Sequence, residues 1–453
     1  MDKVKNSLLA CLIFATAGTV SVAESVNKSD EVSRHEITWT FDTDYPTGSF
    51  VNGDPWVLGP VKIVSVTPGW DGEVNGTQVD PPIAGKEGQG FRKDYKFGAP
   101  YRDDLLAKFP LSLRGTRSVV STIGMKPQRR GGAYEAFESA SVLTVVDEVP
   151  PRDAFRPPYI KGSKPFYAVS QIQWNRLPSL EAPEGFVAPK KNPMVRLWMD
   201  HNGTRGNANG TIHPRRNMAP YYFFMDVSRM SVTLLVDFPR RKELLYSFMQ
   251  YGIDCYHISL NNGDAWRAYG GFGNGRKWPI LFTGILLDDE KMIHPLKTCK
   301  TTWARTDTVD KFGEDGHTYH GKPTKGYPRG KPLWGQDAPP GRWFRNHDNR
   351  DPNGILEPMQ LPKDNPIGGS YRFICSRGWP GQALAARLMG AMDLWDHPAF
   401  FDYVDRWIRE EAPKKQKDYY SYGPDPIKAM WLKYRPEADE IGKKYLRAQS
   451  NPE

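Results

Sequence analysis

The residue texture of this chain changes once, and that change limits the fold more than any other feature. From about Ile37 to Val149 the sequence runs in short β-branched and aromatic segments: ITWTF, WVLGPVKIVSV, SVVSTIG and SVLTVVDEV. Clusters of Gly, Pro, Asn and Asp separate them, which is the pattern of strands joined by turns. From about Tyr221 onward, apolar residues recur at helical spacing. DVSRMSVTLLVDF is one such stretch, and Pro239 opens a second, RRKELLYSFMQYGIDCYHIS. WPILFTGILLDDEKM is a third, with Pro279 suited to a first helical turn. GWPGQALAARLMGAMDL and HPAFFDYVDRWIREE complete the set. Between the two textures the chain is Pro-rich yet aromatic, which suits an ordered strap. The expectation is a multidomain α+β protein. An antiparallel β-sandwich-like domain covers 24–150 and a strap covers 151–215. A mainly helical (α/α) barrel or toroid, whole or partial, covers 216–453.

The first residues read as an export signal. Lys3 and Lys5 precede an apolar run from Leu8 to Ala17, and Ser21-Val22-Ala23 matches a small-residue cleavage site. The stretch is too short to span a bilayer, so the mature chain is expected to be secreted or periplasmic, without stable membrane insertion. The chain carries a formal charge of +9. For an exported protein, acidic polysaccharide is a better polyanionic partner than nucleic acid. After signal removal Cys255, Cys299 and Cys375 remain, which leaves open one disulfide with a free thiol or three buried thiols. Oligomeric state is not legible.

The stretch GGFGNGRKWPILFTG, Gly270 to Gly284, joins a glycine-rich loop, two cations and a helix, a combination suited to holding an anion. It is not a nucleotide loop, because Trp278 stands where a magnesium-binding Ser or Thr belongs. The same glycines serve equally to let the loop pass close to another backbone. No cofactor is expected. His317 and His320 lie near Glu314 and Asp315 but lack a zinc-site pattern. NRDPNG, 349–354, fits only the first half of a calcium loop, leaving calcium as the one metal in question. G-x-S-x-G is absent, which argues against a nucleophilic serine on a strand-to-helix elbow. Asp254, Asp264, Glu314 and Asp315 are the candidate carboxylates for an inverting glycosidase.

Clusters of Asn, His, Tyr and Arg suit a different chemistry. Removing the proton beside a sugar carboxylate requires that the carboxylate charge be neutralised, that a base take the proton and that an acid protonate the departing oxygen. TIHPRRNMAPYY carries His213, Arg216, Asn217 and Tyr222. The glycine loop carries Asn274, Arg276 and Lys277, and EDGHTYH carries His317 and Tyr319. GGSYRFICSRGWPG carries Tyr371, Arg372 and Trp379.

HPRRNMAPYY, YGIDCY, GNGRKWPILFTG and WPGQALAARLMGAMDLWDHPAFFDYVDRW resemble secreted bacterial proteins of polysaccharide breakdown. They also resemble the wider class of polysaccharide lyases with an (α/α) toroid, which includes alginate, glucuronan and related uronate lyases. The resemblance covers about 195–410. It implies β-elimination on an acidic, uronate-containing polysaccharide, with Asn217 neutralising the carboxylate and Arg276 assisting. It further implies His213 or His317 as base and Tyr222, Tyr319 or Tyr371 as acid. Arg216, Asn274, Lys277, Arg372 and Trp379 fall to substrate binding. Where loops of this group can carry a His, this chain has Phe272 and Asn274. A glycan-binding envelope protein without catalysis and an inverting glycosidase therefore stand as alternatives.

Overall fold

The computed structural model describes residues 26–82, 87–93, 100–124, 137–199, 219–260, 273–300, 312–321, 323–334, 375–411 and 422–450. The signal segment 1–23, the calcium-like 349–354 and the carboxylate Asp264 lie outside them, as do His213, Arg216, Asn217, Tyr371 and Arg372.

The N-terminal strands are β1 (Lys28–Arg34), β2 (Ile37–Ser49), β3 (Pro55–Leu58) and β4 (Val61–Thr67). After them come β5 (Thr77–Val79), β6 (Leu111–Leu113), β7 (Arg117–Gly124) and β8 (Phe137–Val146). They do not form a sandwich. They form one curled mixed sheet of order β5-β7-β8-β3-β2-β4-β6, with β1 added on β2. The correction turns on β3, which pairs antiparallel with β2 but parallel with β8, Trp56 opposite Thr144. That pairing joins the two expected layers into a single surface.

Strand alternation explains how the curl is filled. Ile37, Trp39 and Phe41 of β2 point inward with Ile63, Val119, Leu143 and Val145. The opposite faces of β7 and β8, through Val120, Ala140 and Val142, enter a second core shared with the helices. β7 and β8 are thus covered on both sides, which is why SVVSTIG and SVLTVV read as nearly continuous apolar runs.

The helical half comprises α1 (Ala219–Thr233), α2 (Arg241–Ser259), α3 (Lys277–Leu287) and α4 (Pro295–Thr298). A short α5 (Gly313–His317) leads into a hairpin of β9 (Thr318–His320) and β10 (Pro332–Trp334). Then follow α6 (Pro380–Leu388), α7 (Met392–Trp395), α8 (Pro398–Glu411), α9 (Ile427–Tyr434) and α10 (Ala438–Ser450). The expected toroid is not present. The helices are few, and they gather around α6, whose residues are buried on every face and which touches α1, α3, α8, α9 and α10. A helix buried on every face belongs at a centre and not on a ring wall. Small residues make the centre possible: a side chain at Gly381 would stand 2.1 Å from the Ser228 carbonyl oxygen of α1.

The strap, as far as it is described, bonds the helical half by backbone, Gln173 to Leu286 and Leu180 to Leu235, and the N-terminal half through Ala154 to Val51 and Lys161 to Pro81. Its Arg156 sits buried between the two halves. The guanidinium bonds Asp54 of the β2–β3 turn at 2.6 Å and both carboxylate oxygens of Asp254 on α2, at 2.5 and 3.1 Å. Cys255, Cys299 and Cys375 are all buried, and no disulfide joins them. No helix among the described residues is long and apolar enough to cross a membrane.

Candidate active site

The loop that enters α3 packs against α5. Gly275 adopts φ +79°, and a side chain there would meet Phe224 of α1 at 2.8 Å. Gly313, at the start of α5, approaches Asn274 equally closely. Only glycine fits either position without moving its neighbour. The approach lets the Gly275 N–H donate to Glu314 Oε1 at 2.6 Å.

Five of the residues singled out from sequence meet here: Asn274, Arg276, Lys277, His317 and Trp379, all buried. Trp379 Nε1 donates to Asn274 Oδ1 at 2.9 Å, and Asn274 Nδ2 reaches Cys375 Sγ at 3.7 Å. Arg276 donates to the Asn274 carbonyl at 2.6 Å, and its guanidinium lies 5.2 Å from the Phe223 ring. Lys277 Nζ bonds Asp315 Oδ2 at 2.7 Å and stands 5.0 Å from the Trp395 ring. Trp395 Nε1 donates to Asp315 Oδ1 at 3.1 Å. The anion that Lys277 holds is therefore the chain's own Asp315. Tyr319 lies half-buried on β9, two residues beyond His317. Tyr222 belongs to the first turn of α1, adjacent in sequence to the Phe223 that carries Arg276.

Among the described residues, His317 and Glu314 each present a buried side-chain atom without a hydrogen-bond partner. His317 Nδ1 contacts the Gly313 carbonyl oxygen. A carbonyl only accepts, so Nδ1 carries the proton and Nε2 presents a lone pair. Nε2 is buried without a hydrogen-bond partner. The ring stacks on Trp334 with centroids 5.4 Å apart. Burial pulls the pKa of His317 down to about 4, keeping the imidazole neutral. Glu314 is the counterpart. Its Oε1 accepts from Gly275, while Oε2 is buried without a partner. Burial pushes its pKa up to about 7, with the like charge of Asp315 adding to the rise. A neutral base and a carboxyl group that keeps its proton up to about pH 7 thus stand about one helical turn apart on α5. Environments that separate the pKa values of neighbouring groups in this way divide the roles of base and acid between them.

Glu314 enters the sequence reading as one of four glycosidase carboxylates and as a neighbour of the His317–His320 pair, and no sequence pattern marks its burial. Of its described companions, neither Asp254 nor Asp315 forms a carboxylate pair with it. Asp315 is engaged by Lys277 and Trp395, and Asp254 is locked to Arg156 at the sheet–helix junction. His317 and His320 do not act together either: His320 Nε2 meets Asp402 at 2.9 Å. Among the described residues no group of three His, Cys, Asp or Glu comes together that could hold a metal ion. No protein-family model, curated protein or solved structure matches this chain, so the site is read from its own chemistry.

Proposed function

We propose that this protein is an exported polysaccharide lyase that cleaves an acidic, uronate-containing glycan by β-elimination. One observation carries the reading: the unpartnered His317 Nε2 and the unpartnered Glu314 Oε2 are both buried on the same short helix, with Arg276 and Lys277 in the same cluster. In the reaction His317 Nε2 takes the proton at C5 of the uronate. The electron pair forms the C4–C5 double bond, the bond from C4 to the bridging oxygen breaks, and Glu314 protonates that oxygen. Glu314 takes the acid role for which sequence offered Tyr222, Tyr319 or Tyr371. Neutralising the uronate carboxylate falls to Asn217 and Arg276. Both proton-moving groups are shut off from solvent, so substrate entry requires the cluster to open.

The test is turnover on alginate, glucuronan, ulvan and pectate, followed by new reducing ends. His317→Gln and Glu314→Gln should each lower kcat by about 10²–10⁴-fold while the circular dichroism spectrum stays native. Full activity in both variants removes the pair from the chemistry.

A further inference from the structure

Among the described residues, two lysines with largely buried side chains meet a carboxylate, and their surroundings differ. Lys164 Nζ pairs with Asp80 at 2.9 Å and also donates to the carbonyl oxygens of Pro158 and Ile160 and to Ser118 Oγ. Four acceptors thus share its three protons. Lys277 Nζ instead faces one carboxylate oxygen, Asp315 Oδ2 at 2.7 Å, and two aromatic rings, Trp395 at 5.0 Å and Phe312 at 6.0 Å. The two side chains are 0% and 4% exposed, so the pair is closed off from water. The other carboxylate oxygen, Oδ1, accepts from Trp395 Nε1 at 3.1 Å. With Oδ2 one C–O bond from Cγ, the lysine nitrogen lies no more than about 4 Å from that carbon, close to attack distance. Burial also pulls the Lys277 pKa down, which favours a neutral amine over an ammonium.

We propose that Lys277 and Asp315 join through an isopeptide bond, a covalent staple between the first residue of α3 and the middle of α5. A proton first passes from Nζ to Oδ2, leaving a neutral amine against a neutral carboxylic acid. The Nζ lone pair attacks Cγ and the Cγ–Oδ2 bond breaks. Oδ2 departs as water, with the proton already transferred and a second one from Nζ. Oδ1 becomes the amide oxygen, and Trp395 Nε1 donates to the charge that develops on it during the step. Atoms balance with the loss of one water, and no oxidant, reductant or cofactor enters. Two buried charges are exchanged for an amide that has none to desolvate. The buried Arg156 pairs cannot follow this route, because a guanidinium keeps its proton. Joining needs neither glycan nor turnover, so it is independent of the lyase reading. It ties the helix that carries Glu314 and His317 to the loop beneath it, 38 residues away in sequence.

The experiment is the intact mass of the mature wild-type chain, unfolded and reduced, followed by tryptic mapping. The mass should lie one water below that of the sequence. Residues 277–291 and 312–325 should appear as one branched peptide, uncut after Lys277. Lys277→Arg keeps a cation for Asp315 but forms no amide, and should regain the missing water. A wild-type chain of full mass overturns the proposal. So does a missing water that survives Lys277→Arg, because ring closure at Asp315–Gly316 loses the same mass and leaves Lys277 open to trypsin. A branched peptide in a chain that cleaves no acidic glycan removes the lyase reading and leaves the staple standing. Glycan cleavage by a chain of full mass does the reverse.

Discussion

Replacing Glu314 with Gln removes an ionisable group and keeps its shape and its acceptor for the Gly275 N–H. In the folded chain burial raises the Glu314 pKa from 4.5 to about 7. The folded state therefore holds this proton more tightly than the unfolded state. Its contribution to stability is complete below pH 4.5 and is lost progressively as pH rises through about 7. At 1.36 kcal/mol per pKa unit, the loss is about 3 kcal/mol. His317 works in the opposite direction: its pKa falls from 6.5 to about 4, so the protein gains stability as pH rises across that interval. The two trends offset each other in the wild type, and Glu314→Gln removes one of them. Urea unfolding of both proteins between pH 4 and 8 measures the difference. The variant should gain about 3 kcal/mol relative to wild type between pH 4.5 and 7. Parallel stability curves would show that Glu314 ionises in the folded protein as it does in water, and the acid role would fall with that result.

Turnover should rise as pH passes about 4, where His317 loses its proton, and fall as pH passes about 7, where Glu314 loses its own. A steady-state pH profile reads both limbs. Arg156→Met leaves Asp54 and Asp254 buried without their shared cation, and should cost about 3–5 kcal/mol in a denaturation experiment. Gly252→Ala puts a side chain 2.4 Å from the Pro279 carbonyl oxygen where α2 crosses α3. It should destabilise by about 1–3 kcal/mol, read as a lowered thermal midpoint.

The local elements were legible where a period persists long enough to be read. Pro239 and Pro279 stand at the beginnings of α2 and α3, and HPAFFDYVDRWIREE marks α8 almost end to end. Their assembly was not legible. The parallel β3–β8 contact brings PWVL beside a strand some ninety residues away, and nothing local in either segment announces it. The serial helices suggested a ring because their order gives no sign of which one lies in the middle. The Gly and Ala residues of PGQALAARL were the available clue to that centre, since small side chains admit neighbours on every side. The site was half visible. The glycines of GNGR and GEDGH mark a close backbone approach, but GEDGH has the composition of a solvated turn. Its burial comes from Trp334, Trp379 and Trp395, all of which are distant in sequence.

The direct test of the central claim is the mass of the oligosaccharides released from a uronate polymer by the wild-type protein. β-Elimination predicts a series one water lighter than the saturated oligosaccharides, with the double bond on the new non-reducing end. A saturated series would assign the chain to hydrolysis, and a folded protein that releases nothing from any acidic glycan would contradict the lyase reading altogether.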